Sequence, residues 1–271
     1  MKRKQTHLTL YALLIVNLYF AYLTSTHEWS LEILNQWGGM SGLMPNSQQL
    51  IDFPPFSGLN ISAQPQWLLT TISGIPLIVL RALYSSFLHA SWSHVASNMI
   101  VLYFIGKEFD RTNYTGLLLP VYMFTGVISM LSAYILNPQN ITVGASGAVF
   151  GIMATMVVLG KRASYRKTHT TISNYSYYNY INASKSVYTL LVFNIITSFV
   201  IPGISIVGHI SGGIAGVIVG IGVDVFVSSA ITVRHKLLTD KTNAVITAVI
   251  LFFTVIIPFP LDFSYFICSY Q

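Results

Sequence analysis

The sequence predicts an all-α polytopic membrane protein, and three observations lead to this fold class. Hydrophobic residues make up 53% of the 271-residue chain and charged residues only 8%, whereas roughly a quarter of a soluble domain is charged. Several apolar runs approach the ~20 residues that a helix needs to cross ~30 Å of hydrocarbon. Lys and Arg are also concentrated in every second connection between these runs, as in membrane-protein loops.

Seven apolar segments are predicted to cross the membrane. In chain order they are residues 8–23, 94–105, 115–135, 146–160, 187–204, 206–227 and 244–259. We interpret residues 1–271 as one membrane-embedded domain, with six spans at about 8–228 followed by one further span at about 244–259. The second and fourth segments are short, so we expect them to begin below the outer surface.

The first segment follows the basic residues Lys2, Arg3 and Lys4, which resemble the start of a signal peptide. Its apolar stretch is long, however, and no small-x-small cleavage site follows it. We therefore expect it to be retained as the first helix.

The basic residues set the expected orientation. If the N-terminus is cytoplasmic, seven spans place every Lys and Arg except Arg81 on the inner side and the C-terminus outside, which agrees with the positive-inside rule. Residues 67–88 are apolar enough to be a further span, but counting them would move the later basic loops outside. We interpret them as part of a long outer loop. The net charge of +6 then reflects topology and contact with anionic lipid, and we expect no nucleic-acid partner.

The sequence gives little indication of a disulfide, a metal site or a cofactor. Cys268 is the single cysteine, so no intrachain disulfide is possible. The chain has no internal repeat and no metal-ligand spacing, and we predict neither a metal nor another cofactor. The polar, tyrosine-rich residues 164–184 are predicted to be a flexible inner connector.

A serine and a histidine stand at the outer ends of two predicted spans. Ser146 lies in the sequence Gly144-Ala145-Ser146-Gly147, and His209 follows Gly208. Each lies fifteen residues before the next charged residue, Lys161 or Asp224, which places both roughly 22 Å above the cytoplasmic boundary. An ionisable residue within a span is by default a functional hypothesis, and a serine needs a neighbouring base to become a nucleophile.

The two spans that begin with these residues carry glycines at intervals of four, which allow helix backbones to pack closely. The glycines are Gly208, Gly212, Gly216 and Gly220 on the later span and Gly147 and Gly151 on the earlier one. Helix packing explains the glycines alone. The adjoining serine and histidine favour a reactive pair.

His94 and Asn98 are four residues apart and therefore share one face of the second span. Both can donate a hydrogen bond to a developing oxyanion, and the backbone N–H of Ser146 offers a third donor. Taken singly, either side chain is better explained as a contact between helices. Together with Ser146 and His209 at a similar depth, an oxyanion role is favoured. His89 is a weaker candidate and is expected to order the loop.

Every Asp and Glu lies near the inner side, in an outer loop or in the C-terminal tail. This distribution favours a Ser–His dyad over a triad with a carboxylate, unless an outer loop folds back toward the site.

These residues resemble the rhomboid intramembrane serine proteases. The similarity rests on the GxSG sequence around Ser146, on His209 followed by Gly212 and Gly216, and on His94-x-x-x-Asn98 in an earlier span, and it extends over roughly residues 81–227. It implies Ser146 as nucleophile, His209 as general base and acid, and His94 and Asn98 as oxyanion donors. It also implies that Phe150 stacks on the ring of His209.

Two positions depart from the family pattern. Phe150 stands where many members have Tyr, so the stack is retained without the hydroxyl. Leu80-Arg81 replaces a common Trp-Arg pair, which leaves the arginine but removes an interfacial aromatic ring. The seventh span looks like the rhomboid form with one helix added after the core.

The resemblance implies an endopeptidase that cleaves transmembrane protein substrates near the outer face. A catalytically silent relative that binds membrane proteins is the alternative, although such relatives typically lack the Ser or the His. A transporter is disfavoured because the chain shows neither inverted repeats nor broken helices. Without an evident organelle-targeting leader, a bacterial plasma membrane is the expected location. Substrate identity and oligomeric state stay open.

Overall fold

The computed structural model describes residues 7–26, 28–30, 34, 39–40, 71–72, 75–110, 115–137, 139–169 and 174–229. The described part of the chain forms seven α-helices. They are α1 (Leu8–Ser25), α2 (Leu77–Ser85), α3 (Trp92–Asp110), α4 (Leu118–Leu136), α5 (Ser146–His169), α6 (Asn174–Val200) and α7 (Ile206–Ser229).

Two smaller elements accompany the helices. A 3₁₀ turn at Thr115–Leu117 leads into α4, and an antiparallel hairpin precedes α2. In the hairpin, β1 (Thr71–Ile72) pairs with β2 (Ile75–Pro76), with Thr71 opposite Pro76 and Ile72 opposite Ile75.

Five of the described helices are long and apolar enough to cross a membrane: α1, α4, α5, α6 and α7. Helix α3 has 19 residues, as many as α4, but its polar residues lower its hydropathy. Helix α2 has only nine residues, about 13 Å, which is too short for a span. Residues 67–88 were predicted to be part of a loop; their described part contains this short helix, and residues 67–70, 73 and 74 lie outside the described residues. The chain is therefore a multi-pass helical membrane protein. The predicted span at 244–259 and the basic N-terminus lie outside the described residues.

Helix α5 occupies the centre of the bundle. Its apolar window is 78% buried, compared with 22% for α6 and 33% for α7, and it packs against α3, α4, α6 and α7. Hydroxyl groups connect these helices. Ser129 on α4 donates to the carbonyl of Gly208 at 2.8 Å, and Thr155 on α5 donates to the carbonyl of Gly216 at 2.9 Å.

The backbones of α5 and α7 approach each other closely at their glycines. A methyl group at Gly212 would overlap the carbonyl oxygen of Gly147, and one at Gly216 would overlap the carbonyl oxygen of Gly151. Four glycines of the predicted small-residue faces therefore meet in two pairs, and this contact sets the distance between the helix that begins with Ser146 and the helix that carries His209.

One prediction about a connecting segment was wrong. Residues 164–184 were predicted to form a flexible connector, yet α5 continues to His169 and α6 begins at Asn174. The helices that contain the second and fourth predicted spans also extend past them, since α3 has 19 residues and α5 has 24. Hydropathy marks only the part of a helix that suits lipid. A helix that has already formed extends past this boundary, because each added residue contributes one further hydrogen bond.

Candidate functional site

Ser146 is the first residue of α5. The backbone of the residues before it is held in a defined conformation. Gly144 has a φ of +126°, a conformation that side chains disfavour. Its N–H donates to the carbonyl of Ser85 at 2.9 Å, and Thr142 pairs with Met40 through two backbone hydrogen bonds. The side chain of Ser146 is half-buried, and its hydroxyl makes no hydrogen bond within the described part of the chain.

His209 lies in the first turn of α7 and is 8% exposed. Its ring stacks on Phe150, with 4.3 Å between ring centroids and 19° between planes. Because Phe150 is four residues after Ser146, the two share one face of α5. The face that begins with Ser146 therefore meets His209, and the contact implied for Phe150 is present.

His94 and Asn98, in the first two turns of α3, lie against the turn that precedes Ser146. A methyl group built on Gly144 would lie 2.8 Å from His94 Cε1, 2.9 Å from His94 Nε2 and 3.8 Å from Asn98 Nδ2. Asn98 is 7% exposed, and its Nδ2 is buried without a hydrogen-bond partner among the described residues. A buried amide donor left unpaired is costly, so its position beside the turn before Ser146 calls for a functional explanation.

His89 lies in the loop before α3 and is fully buried. Its Nδ1 donates to the carbonyl of Phe87 at 3.1 Å, and its ring meets His94 edge to face with 5.0 Å between centroids. Within the described part of the chain, its Nε2 has no hydrogen-bond partner. Burial, with a smaller contribution from the nearby His94, lowers the pKa of His89 to about 3. His89 is therefore a neutral side chain that supports the His94 ring.

Arg81 anchors the segment that contains Gly39 to α2. Its side chain is 5% exposed and donates to the carbonyl oxygen of Gly39 through Nη2 at 2.8 Å and through Nε at 3.3 Å. Burial lowers the pKa of Arg81 to about 10, so the guanidinium stays charged at neutral pH. The arginine retained in the Leu80-Arg81 pair thus holds a loop by hydrogen bonds to backbone.

Sequence reasoning missed Ser198. This residue is near the end of α6, and its hydroxyl oxygen lies 2.6 Å from His209 Nδ1. A signal was available, because Ser198 stands two residues before the end of one helix and His209 three residues after the start of the next. Two helices joined by so short a connection bring such positions to the same level. The prediction considered only carboxylates as a third member.

Among the described residues, no cluster of three or more His, Cys, Asp and Glu side chains is placed to hold a metal ion. The chemistry available at this end of the bundle is that of a hydroxyl, imidazole rings, an amide and backbone N–H groups at a helix start.

The model of one protein family, described as the Rhomboid domain, matches residues 77–224. This is more than half of the chain, and it contains α2 to α6 and most of α7. The chain belongs to the rhomboid family. All of the side chains brought together around Ser146 fall within the matched region.

Individual relatives of this rhomboid protein come from plants, bacteria and yeast. It is 43% identical over 86 residues to Rhomboid-like protein 11, chloroplastic, of Arabidopsis thaliana, covering 31% of this chain and 30% of that one. It is 24% identical over 179 residues to Rhomboid protease GluP of Bacillus subtilis, covering 65% and 30%. It is 29% identical over 171 residues to Rhomboid-type serine protease 2 of Debaryomyces hansenii, covering 60% and 57%. The alignments thus span between 30% and 57% of these relatives' lengths.

Proposed function

We propose that this rhomboid protein is an intramembrane serine endopeptidase in which Ser146 is the nucleophile and His209 the general base. The observation that carries the proposal is the arrangement around Phe150. Ser146 heads the face of α5 on which Phe150 stacks against His209, while the glycine pairs between α5 and α7 let the two helices approach closely.

The chemistry begins when the hydroxyl of Ser146 attacks a peptide carbonyl and its proton passes to Nε2 of His209. The hydroxyl of Ser146 makes no hydrogen bond among the described residues, and catalytic hydrogen bonds often form fully only in the complex with substrate. The proton on His209 then goes to the leaving amine. Water completes the cycle by hydrolysing the acyl-enzyme.

The oxyanion is held by three donors in this proposal: Asn98 Nδ2, His94 and the backbone N–H of Ser146. The unpaired Nδ2 of Asn98 supports the assignment, because a donor already free of partners pays no reorganisation when negative charge develops. The N–H of Ser146 is free by position, since the first N–H groups of a helix have no partner within it.

The substrate in this proposal is a transmembrane protein, cleaved near the outer face. The arrangement in the membrane is a six-helix core followed by one more span at 244–259, with the N-terminus cytoplasmic. The relatives include both a chloroplastic plant protein and a bacterial one, so a bacterial plasma membrane stays a prediction.

Labelling with a fluorophosphonate in detergent tests the serine directly. We expect the probe to label the wild type but neither Ser146→Ala nor His209→Ala. Ser97→Ala is the matched control, because Ser97 is exposed on α3 and bonds only its own helix, to the carbonyl of His94 at 2.9 Å; it should label like the wild type. A folded wild type that neither labels nor cleaves any membrane substrate would contradict the proposal and favour the silent binder.

Orientation has an equally direct test, because Cys268 is the single cysteine of the chain. A membrane-impermeant maleimide added to intact cells should label the wild type and not Cys268→Ser. Labelling only after the cells are permeabilised would place the C-terminus inside and contradict the seven-span topology.

A further inference from the structure

Ser198 occupies an unusual place on α6. The residues around it face outward: Ile196 is 56% exposed, Phe199 65% and Val200 72%, whereas Ser198 is 5% exposed. The one inward position in this turn is thus polar. Its hydroxyl reaches across to α7, where it meets the ring nitrogen of His209 at 2.6 Å.

The hydrogen-bond partners of Ser198 define which atom carries each proton. The hydroxyl oxygen also lies 2.7 Å from the carbonyl oxygen of Asn194. A carbonyl only accepts, so the single hydroxyl proton must point to Asn194 for that contact to be favourable. The contact with His209 is then satisfied when Nδ1 donates its hydrogen to Ser198. The opposite assignment would leave two oxygen atoms 2.7 Å apart with no hydrogen between them.

We infer that Ser198 is a positioning residue that holds His209 as the Nδ1–H tautomer, with the lone pair of Nε2 available to the hydroxyl of Ser146. This inference rests on the proposed function for its catalytic meaning, although the tautomer itself does not depend on it. Ser198 then does what the carboxylate does in a serine protease triad, where it fixes the tautomer and orientation of the histidine.

The arrangement also bears on the charged state of the histidine. When His209 accepts the proton of Ser146, its Nδ1–H still donates to the oxygen of Ser198, which is polarised by its own hydrogen bond to Asn194. Hydrogen bonds linked in a chain strengthen one another. Ser198 therefore supports the imidazolium without adding a charge to the site.

Ser198 has a close control on the same helix. The hydroxyl of Thr197 donates to the same carbonyl, that of Asn194, at 3.0 Å, and among the described residues it makes no hydrogen bond to His209. Thr197→Ala therefore removes a neighbouring hydroxyl from the same acceptor and leaves the histidine untouched. Ser198→Thr keeps the hydroxyl and is the conservative variant.

The kinetic test compares the three variants on one transmembrane substrate after equal folding has been verified by thermal unfolding. We expect Ser198→Ala to lower kcat by about ten- to a hundredfold, because the base is present but no longer oriented, with KM changed less than twofold. Ser198→Thr should recover most of kcat, and Thr197→Ala should match the wild type. A wild-type kcat in Ser198→Ala, or an equal loss in Thr197→Ala, would overturn the inference.

A second measurement separates this inference from the proposed function. ¹⁵N spectra of histidine-labelled protein distinguish the two ring tautomers, and His209→Asn identifies the signal. In the Ser146→Ala background, where no reaction occurs, we expect the Nδ1–H form at His209 and its loss in Ser198→Ala. An Nε2–H ring in the presence of Ser198 would refute the inference, whereas failure of the wild type to react with any serine probe would refute only the protease assignment.

Discussion

The rings of Phe150 and His209 lie nearly parallel, 4.3 Å apart at their centroids and 19° apart in plane. Phe150 is on α5, one turn after Ser146, and is 4% exposed. The stack therefore fixes one face of the imidazole while the hydrogen bond from Nδ1 to Ser198 fixes its edge. These two contacts leave Nε2 as the ring nitrogen available for reaction.

Replacing Phe150 should slow the reaction without abolishing it. A stacked aromatic pair contributes about 0.5–1.5 kcal/mol beyond its buried area, so Phe150→Leu should lower kcat about two- to tenfold. Phe150→Tyr keeps the ring and should stay near the wild-type rate. Phe104→Ala, at an outward-facing position of α3 that is 54% exposed, is the control. A Leu variant as fast as the wild type would show that the stack does not orient the histidine.

The glycine contact between α5 and α7 gives a prediction with an adjacent control. Gly212→Ala places a methyl group against the carbonyl oxygen of Gly147, and such overpacking typically costs about 1–3 kcal/mol. At Gly213 a methyl group would have no atom within 4 Å. The unfolding free energy of Gly213→Ala should therefore equal that of the wild type or slightly exceed it. Unfolding free energies in mixed micelles test the pair. Equal values for both variants would show that this contact is not tight.

Gly144 combines a backbone requirement with a steric one. Gly144→Ala strains a φ of +126° and presses a methyl group against the ring of His94. Gly203→Ala strains a φ of +81° but meets nothing within 4 Å. We expect backbone strain to lower the free energy of unfolding of both variants by about 1–3 kcal/mol. Only Gly144→Ala should also react more slowly with the fluorophosphonate. If Gly144→Ala is labelled as fast as the wild type, the position of the His94 ring does not affect the reactivity of Ser146.

Acid should destabilise the protein through His89. Burial lowers the pKa of this side chain from 6.5 to about 3, so below pH 6.5 the unfolded chain binds a proton that the folded chain excludes. Stability is therefore fully present above pH 6.5 and falls between 6.5 and 3, by up to about 1.4 kcal/mol per pH unit.

The measurement compares unfolding free energies at pH 7.5 and 5.5 for the wild type and His89→Gln. The wild type should lose about 1.4 kcal/mol more than the variant over this interval. The difference between the two proteins isolates His89, because His94 and His209 are common to both. Parallel pH dependence would show that His89 is protonated in the folded protein.

The sequence was sufficient for the relationships that depend on local spacing. Ser146 and Phe150 share a helix face because they are four residues apart, and the helices that carry Ser146 and His209 meet through glycines whose interval is also four. The positions of the basic residues argued against a further span at residues 67–88, although they did not predict the short helix α2. In each case a fixed periodicity or a charge rule connects residues directly to geometry.

Contacts between distant segments could not be read in this way. Arg81 donates a hydrogen bond to the backbone carbonyl of Gly39. A backbone acceptor is present at every residue, so the sequence gives no sign of this partner. Ser198 was missed because a hydroxyl within an apolar run normally bonds its own helix, as it does here with Asn194. Only the packing of α6 against α7 gives it a second partner. The lengths of α5 and α6 were misjudged for a related reason, because polarity ends a span but not a helix.

The hydrogen bond between Ser198 and His209 has a consequence for biosynthesis. A carboxylate in place of Ser198 would have to enter the bilayer as a charge, at about 2.5–3.5 kcal/mol on insertion scales. The serine is neutral, and its hydroxyl already donates a hydrogen bond to the carbonyl of Asn194 on its own helix. The hydroxyl of Ser198 is thus satisfied within α6 alone, and the imidazole of His209 gains this partner only when α7 packs against α6. In the proposed protease, the general base is therefore oriented by helix assembly and not by a charge carried into the bilayer.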